Sequence, residues 1–345
     1  MSESATPVEA DPRALALNRW LRSIDPDFTA AQPMGSDASF RRYFRSQRAG
    51  ISHVIMDAPP EREDTAPFLR VAGLLHALGL RAPGILANDP GQGFILLEDL
   101  GDRTFTRALA HGVPEAELYR LATSTLLALQ ARWPQRAMAG LPEAAALPRY
   151  DTDLLLREAR LFIEWYWPEV RGAPVPRAVE EAFEQAWRGV LDALPDLPMT
   201  LVLRDFHVDN LMLLPAGRGT DACGLLDFQD AVLGSPAYDL VSLLEDARRD
   251  VSPAVVTESL ETTLAAGHWP SAAFLHHYRV LGAQRTVKII GIFTRLARRD
   301  HKPAYQVHQP RLWRLLERSL EQPELEPVAS WFGRHFRRDG QPCAR

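Results

Sequence analysis

Two stretches decide how this sequence reads: LVLRDFHVDNLMLLP over 201–215 and GLLDFQDAVLGSPAYDL over 224–240. Leu201, Val202 and Leu203 form an apolar strand that delivers Arg204 and Asp205 into a polar loop. Asn210 follows five residues after Asp205, and the run 210–215 reads as a second strand. Residues 216–222 are rich in turn formers, and CGLLDF over 223–228 returns as a third strand. A hairpin of this kind brings Asn210 and Asp227 to one end, beside Asp205. Two carboxylates and an amide oxygen then converge.

That trio suits a hard cation. Mg²⁺ takes oxygen ligands and keeps waters and substrate phosphates in its shell. Asn210 and Asp227 are the candidate metal ligands, and Asp205 is the candidate catalytic acceptor of a hydroxyl proton. An Asp and an Asn five residues apart, followed by a metal-holding Asp, do this work in kinases. Any one of these residues alone reads as a solvated turn residue. The joint pattern of strand, Arg-Asp, Asn, strand, turn and Leu-Leu-Asp-Phe carries the reading.

Upstream, residues 1–12 form a polar tail and 13–28 an amphipathic helix. The texture changes over 31–60, where GSDASFRRYFRS (35–46) and HVIMDAPP (53–60) predict two or three antiparallel strands. FLRVAGLLHALG (68–79) reads as a helix, and GFILLEDLG (93–101) as a buried strand closed by an acidic turn. Beyond 103 the chain turns helical, through 117–133, 151–167 and 177–194. The compact strand region lies at 199–232. Helices then resume to the end, punctuated by Pro253, Pro270, Pro303 and Pro310. The predicted class is α+β with two lobes: a small antiparallel-sheet lobe with its N-terminal helix over 1–100, and a larger helical lobe over 101–345. The cleft between them is the expected ligand site.

Composition narrows the partners. The 345 residues are 46% hydrophobic and 24% charged, with a net charge of −5. This mild acidity argues against a general nucleic-acid binder. No apolar run of about 18 residues predicts a membrane span, and no signal peptide is visible, so a cytoplasmic location is expected. Two cysteines, Cys223 and Cys343, build neither a metal cluster nor a disulfide framework. Only two of the 39 basic residues are lysines, Lys288 and Lys302. No lysine is therefore available on the strand 53–57 to clamp a phosphate, and the helix 68–79 has no acidic residue to pair with one.

The quoted segments resemble the aminoglycoside phosphotransferase family, whose fold is kinase-like. The family's H-G-D-x-x-x-x-N is matched by Leu203-Arg204-Asp205 and Asn210, with Leu-Arg in place of His-Gly. Leu226-Asp227-Phe228 matches its second motif, and Gly234-Ser235-Pro236 with Tyr238-Asp239-Leu240 its third. Within that group, MGSDASFRRYFR (34–45), VIMDAPPERED (54–64), the stretch 228–251 and QRTVKIIGIFTRLARRD (284–300) are similar to bacterial anomeric sugar kinases. Those enzymes act on N-acetylmuramate and N-acetylglucosamine in peptidoglycan recycling. The resemblance spans about 15–335. It implies ATP as donor, Mg²⁺ as cofactor, an amino sugar as acceptor, and no nucleic-acid, membrane or obligate protein partner.

It also implies roles for further residues. Gly35, Ser36, Asp37, Ala38 and Ser39 would form a turn over the phosphates. Glu98, Asp99 and Leu100 would be the hinge that meets the nucleotide base. Asp239 would brace the catalytic loop. Candidate sugar contacts are Arg204, His207, Glu158, Trp165 and Arg285. On 279–299, Arg285, Lys288, Arg295 and Arg299 fall near one face, and most of this helix's six cations are expected to face solvent. Such a basic face disfavours a polycationic aminoglycoside and suits a carboxylate. The alternatives are a kinase for another small alcohol, of the aminoglycoside, choline or homoserine type, and a nucleotide-binding pseudokinase.

Overall fold

The computed structural model describes residues 11–34, 40–138, 146–337, 340, 341 and 343. The segment 35–39, expected to cover phosphates, lies outside them. Helix α1 (Pro12–Ile24) starts on Asp11, whose carboxylate accepts from Arg13 N at 2.9 Å. It stops four residues short of the predicted end. Asp25 is extended ahead of Pro26, because a residue before proline is pushed out of the helical region.

The sheet orders its strands β1 (Gln32–Pro33), β2 (Arg42–Arg48), β3 (Ile51–Asp57), β5 (Phe94–Glu98) and β4 (Ile85–Asp89), every pair antiparallel. Ala49 and Gly50 both take positive φ, 49° and 77°, as a two-residue turn of the primed type requires between β2 and β3. The sequence reading missed β4, a half-exposed strand with little apolar signal. One sheet face (Phe44, Ile55, Phe94, Leu96) packs on Leu17, Trp20 and Leu21 of α1. The other packs on α2 (Ala66–Ala77) through Met56, Ile95 and Leu97. From there a single apolar core runs into α3 (Phe105–Ala110), α4 (Glu115–Met138) and the motif-bearing hairpins.

The remainder is mostly helical. The predicted helix 151–167 is interrupted: α5 (Thr152–Ala159) gives way to a π-turn (Phe162–Tyr166) and then α6 (Trp167–Arg171). The reason lies across the interface. A Cβ on Gly291 would stand 2.3 Å from the Leu161 carbonyl carbon, so two backbones meet there and the turn is widened. Helix α7 (Arg177–Asp192) follows. The strand region forms two separate ribbons where three sequential strands were expected. β6 (Thr200–Val202) pairs with β9 (Val232–Gly234), and β7 (Leu211–Leu213) pairs with β8 (Cys223–Leu225). Then come α8 (Tyr238–Leu244), α9 (Pro253–Ala265), the long α10 (Ser271–Arg298), α11 (Gln309–Leu320) and α12 (Glu326–His335). A second core centres on Phe162, Trp313 and Trp331 against α10. Among the described residues no helix is long and apolar enough to cross a membrane.

Candidate active site

The loop between β6 and β7 is held from below by Asp239, in the first turn of α8. Its Oδ2 accepts from Leu203 N at 2.7 Å and its Oδ1 from Arg204 N at 2.8 Å. Burial pushes the Asp239 carboxyl up to about 7, against the pull of these two donors. The bonds hold Arg204 at φ 71°, a left-handed position that costs a side chain roughly 1–2 kcal/mol. Arg204 thus occupies the backbone conformation that glycine fills more readily. What offsets the strain is an ion pair from its guanidinium to Glu158 on α5.

Asp205 follows, with surface open to solvent although protein surrounds it on most sides. Burial opposes its ionisation. The charges of Lys288 and Arg285, with that of Arg204, outweigh it and hold the carboxyl below its ordinary range.

Asn210 closes the loop. Its Nδ2 lies 3.0 Å from Asp205 O, 3.4 Å from Asp227 Oδ2 and 3.4 Å from His207 Nε2. All three are acceptors, so the NH₂ edge faces the protein and the amide oxygen faces the cavity that Asn210 lines. His207 Nε2 also accepts from Arg248 at 3.4 Å. With two donors on Nε2, the proton of the neutral ring sits on Nδ1, which is buried without a partner. Burial, then the Arg248 charge, keeps His207 below its ordinary pKa. It orients Asn210 as an uncharged acceptor. Asp227, at φ 55°, is steadied by Gln229 Nε2 at 2.7 Å.

Between the sheet and these hairpins lies a cavity of about 350 Å³, within the usual range for ligand sites of roughly 300–1,000 Å³. Its walls are apolar: Met34, Tyr43 and Val54 from the sheet side, Phe68 from α2, and Met212 and Leu226 from the ribbon. Leu97 to Gly101 also line it, as do Asn210 and Asp227. The acidic side chains of the 97–101 stretch are engaged elsewhere. Glu98 pairs with Arg81, and Asp99 takes Arg45 and the Ser52 hydroxyl, the latter at 2.6 Å. Among the described residues, neither the N–H nor the C=O of Leu100 is bonded within the chain.

On the strand facing the cavity, no lysine stands where a phosphate clamp is usual. Arg42 turns to the other face with Arg13, both on the buried Asp57. Arg41 meets Glu63 at 4.0 Å.

The remaining sequence candidates separate. Glu158 is buried and central: Lys288 Nζ lies 2.9 Å from it, and Tyr150 and Arg204 also bond to it. Tyr150 and Tyr238 share a bond of 3.0 Å under Lys288. Arg285, a candidate sugar contact, and Lys288 are buried beside the 203–210 loop, two exceptions among the cations of that helix. Arg279, Arg298 and Arg299 bridge surface carboxylates. Trp165 sits on the π-turn, half-buried, with no hydrogen bond or ring contact to any of these residues. The extra residue in that turn breaks the seven-residue register that would align it with Glu158. Tyr150, Tyr238, Arg248 and Gln229 were missed. Tyr238 and Gln229 stood inside the quoted motif, but nothing local marked Tyr150.

Among the described residues no group of three His, Cys, Asp or Glu side chains could enclose a metal. Two hard oxygen donors, Asn210 and Asp227, opening on one cavity fit a cation that keeps its waters and takes phosphate oxygens.

A family model for phosphotransferase enzymes matches residues 30–275. A protein from Caulobacter vibrioides is 38% identical over 338 residues, covering 88% of this chain and 91% of that protein. One from Pseudomonas aeruginosa is 37% identical, covering 91% and 94%. Both are named N-acetylmuramate/N-acetylglucosamine kinase. Among solved structures, a choline/ethanolamine kinase family protein from Mesorhizobium loti aligns with TM-score 0.60 at 13% identity over 92% of this chain and 97% of that one. The GDP complex of aminoglycoside 2'-phosphotransferase-IIIa gives 0.60 at 14%, over 89% and 98%. These share the kinase-like fold. With Asn210, Leu226, Asp227 and Phe228 on one cavity and the family match running through both the sheet and the hairpins, the chain belongs to the phosphotransferase enzyme family.

Proposed function

We propose that the chain transfers the γ-phosphoryl group of ATP to the anomeric hydroxyl of N-acetylmuramate and N-acetylglucosamine, giving the sugar 1-phosphate and ADP. The observation that carries this is Asp205, ionised and exposed, one loop away from the Asn210–Asp227 pair that lines the cavity. Four relatives at 37–38% identity over most of the chain bear the corresponding name, which supports the acceptor.

Asp205 accepts a hydrogen bond from the C1 hydroxyl and aims its oxygen at the γ-phosphorus. The new bond forms between that oxygen and phosphorus. The bond from phosphorus to the β–γ bridging oxygen breaks, and ADP leaves with its electron pair. The hydroxyl proton passes to Asp205 and then to solvent. A carboxyl held below its usual pKa is a weak base, so its main contribution is orientation, in keeping with a loose transition state. Asn210 and Asp227 would hold Mg²⁺, which neutralises charge on the phosphates when bound. Leu100 would present its main-chain N–H and C=O to the adenine edge, with Glu98 and Asp99 bracing that turn. Residues 35–39 would cover the phosphates. His207 keeps Asn210 turned. Residues 1–100 would carry the nucleotide and 101–345 the acceptor. The setting we assign is the cytoplasm, in the salvage of cell-wall amino sugars.

The test is ADP release with ATP and Mg²⁺ on N-acetylmuramate, N-acetylglucosamine, glucose, choline and kanamycin. Turnover on the two N-acetyl sugars, abolished by methylating their anomeric oxygen, is expected. Turnover only on choline or kanamycin would retain the fold and reject the acceptor.

A further inference from the structure

The two proposed acceptors differ by one group. N-acetylmuramate carries a lactyl ether whose carboxylate is ionised at neutral pH, where N-acetylglucosamine has a hydroxyl. That carboxylate lies within one sugar ring of the reacting hydroxyl, so its partner must come from the surroundings of Asp205.

Arg285, on α10, has the required chemistry. It is 4% exposed, and its guanidinium makes no hydrogen bond and no ion pair among the described residues. The other cations around the loop are engaged: Arg204 and Lys288 on Glu158, Arg248 on Asp209 and His207. The charge of Arg285 is nevertheless felt by Asp205, His207, Asp239 and Glu245, which sets it against the catalytic loop from the α10 side. None of its nitrogens is among the buried side-chain atoms that lack a partner, so the guanidinium keeps an edge to solvent, where its five donors can meet an incoming anion.

The neighbouring carboxylates leave Arg285 available. Glu158 is shared by Arg204 and Lys288, Asp239 is spent on the loop's N–H groups, and buried Glu245 lies near Tyr278 and Arg318 as well as Arg285.

We propose that Arg285 is the specificity residue for the acidic acceptor, binding its lactyl carboxylate through a two-pronged, charge-assisted hydrogen bond that the neutral sugar cannot make. This rests on the kinase reading above. Arginine suits the task because its planar fork matches a carboxylate and keeps its charge when buried.

The experiment compares kcat/KM for N-acetylmuramate, its methyl ester and N-acetylglucosamine, in the wild type and in Arg285→Met. The ester keeps the shape and loses the charge. In the wild type the ester is expected to fall roughly ten- to a hundredfold below the acid, mainly in KM. Arg285→Met should treat acid and ester alike, and its preference for the acid over N-acetylglucosamine should drop by a similar factor. A wild type that handles acid and ester equally overturns the proposal. So does an Arg285→Met variant that loses equally on the acid and on N-acetylglucosamine, which is the signature of a residue that only positions Asp205. If that variant does not fold, the wild-type comparison of acid and ester decides. A wild type inactive on all three sugars rejects the kinase reading and this proposal together. One active on all three without discriminating charge rejects this proposal alone.

Discussion

At the scale of single residues, two neighbouring carboxylates meet opposite fates. Asp205 is exposed, while Glu158, in the same electrostatic neighbourhood, is buried between Arg204 and Lys288. Burial opposes ionisation of Glu158 too, and the two cations reverse it and lower its pKa. Asp205→Asn is expected to reduce kcat by about a thousandfold or more, on the scale of a lost positioning and proton-accepting group. Its affinity for ADP, read by calorimetric titration, should stay within a few-fold. Loss of nucleotide binding instead would make Asp205 a metal ligand. Glu158→Gln leaves two buried cations short of their counter-charge. It should destabilise the fold by roughly 3–5 kcal/mol in urea unfolding. Adding Lys288→Met should recover part of that loss, and no recovery would mean that the pair is not coupled.

At the scale of elements, two close approaches set the geometry. The first joins α8 to the catalytic loop through Asp239. Its carboxyl is raised from the ordinary value of 3.8 to about 7 by burial, so the folded state binds its proton more tightly than the unfolded chain does. The stability this contributes is complete below the unfolded pKa and is lost as pH rises toward 7. The margin by which the wild type exceeds Asp239→Asn in unfolding free energy should therefore narrow between about pH 4 and pH 7. A constant margin would show that the two N–H bonds keep the carboxyl ionised throughout.

The second approach is Gly291 of α10 against Leu161 and Phe162. There a side chain would meet backbone at 2.3–2.6 Å, which cannot yield as a flexible side chain would. Gly291→Ala is expected to cost roughly 1–3 kcal/mol or more, the scale of core overpacking, despite alanine's better helix propensity. An unchanged midpoint in chemical denaturation would mean that the π-turn can relax.

At the scale of the whole molecule, the sheet and the hairpins share one core, so the cavity sits against a continuous apolar foundation. Cys223 lies in that core on β8, fully buried, and burial pushes its thiol up to about 12. Cys343 is only partly covered. Ellman's reagent should modify one thiol promptly in the native protein and the second only on a timescale set by opening of the core. Prompt reaction of both would show that the ribbon of β7 and β8 opens independently.

Much of the candidate site was legible because it is local. Asp205 and Asn210 are separated by one short loop, and Asp227 returns on the next strand, so spacing alone brings them near one another. The small antiparallel sheet and the helical remainder followed from apolar periodicity in the same way. What spacing could not give were relations between distant segments. Arg204 finds Glu158 46 positions away, and Lys288 reaches Tyr150 across 138. Arg285 was a candidate sugar contact, but Lys288 beside it was not singled out, because a helix carries no mark of which charged side will be buried. The break in 151–167 was hidden for a like reason: its cause is a glycine 130 residues later, at Gly291, against the Leu161 backbone. The sequence by itself determined which atoms are available to react. Tertiary packing decided which charges are neutralised by partners and which stay open to solvent, because the energy of a buried charge depends on partners that only the folded chain assembles.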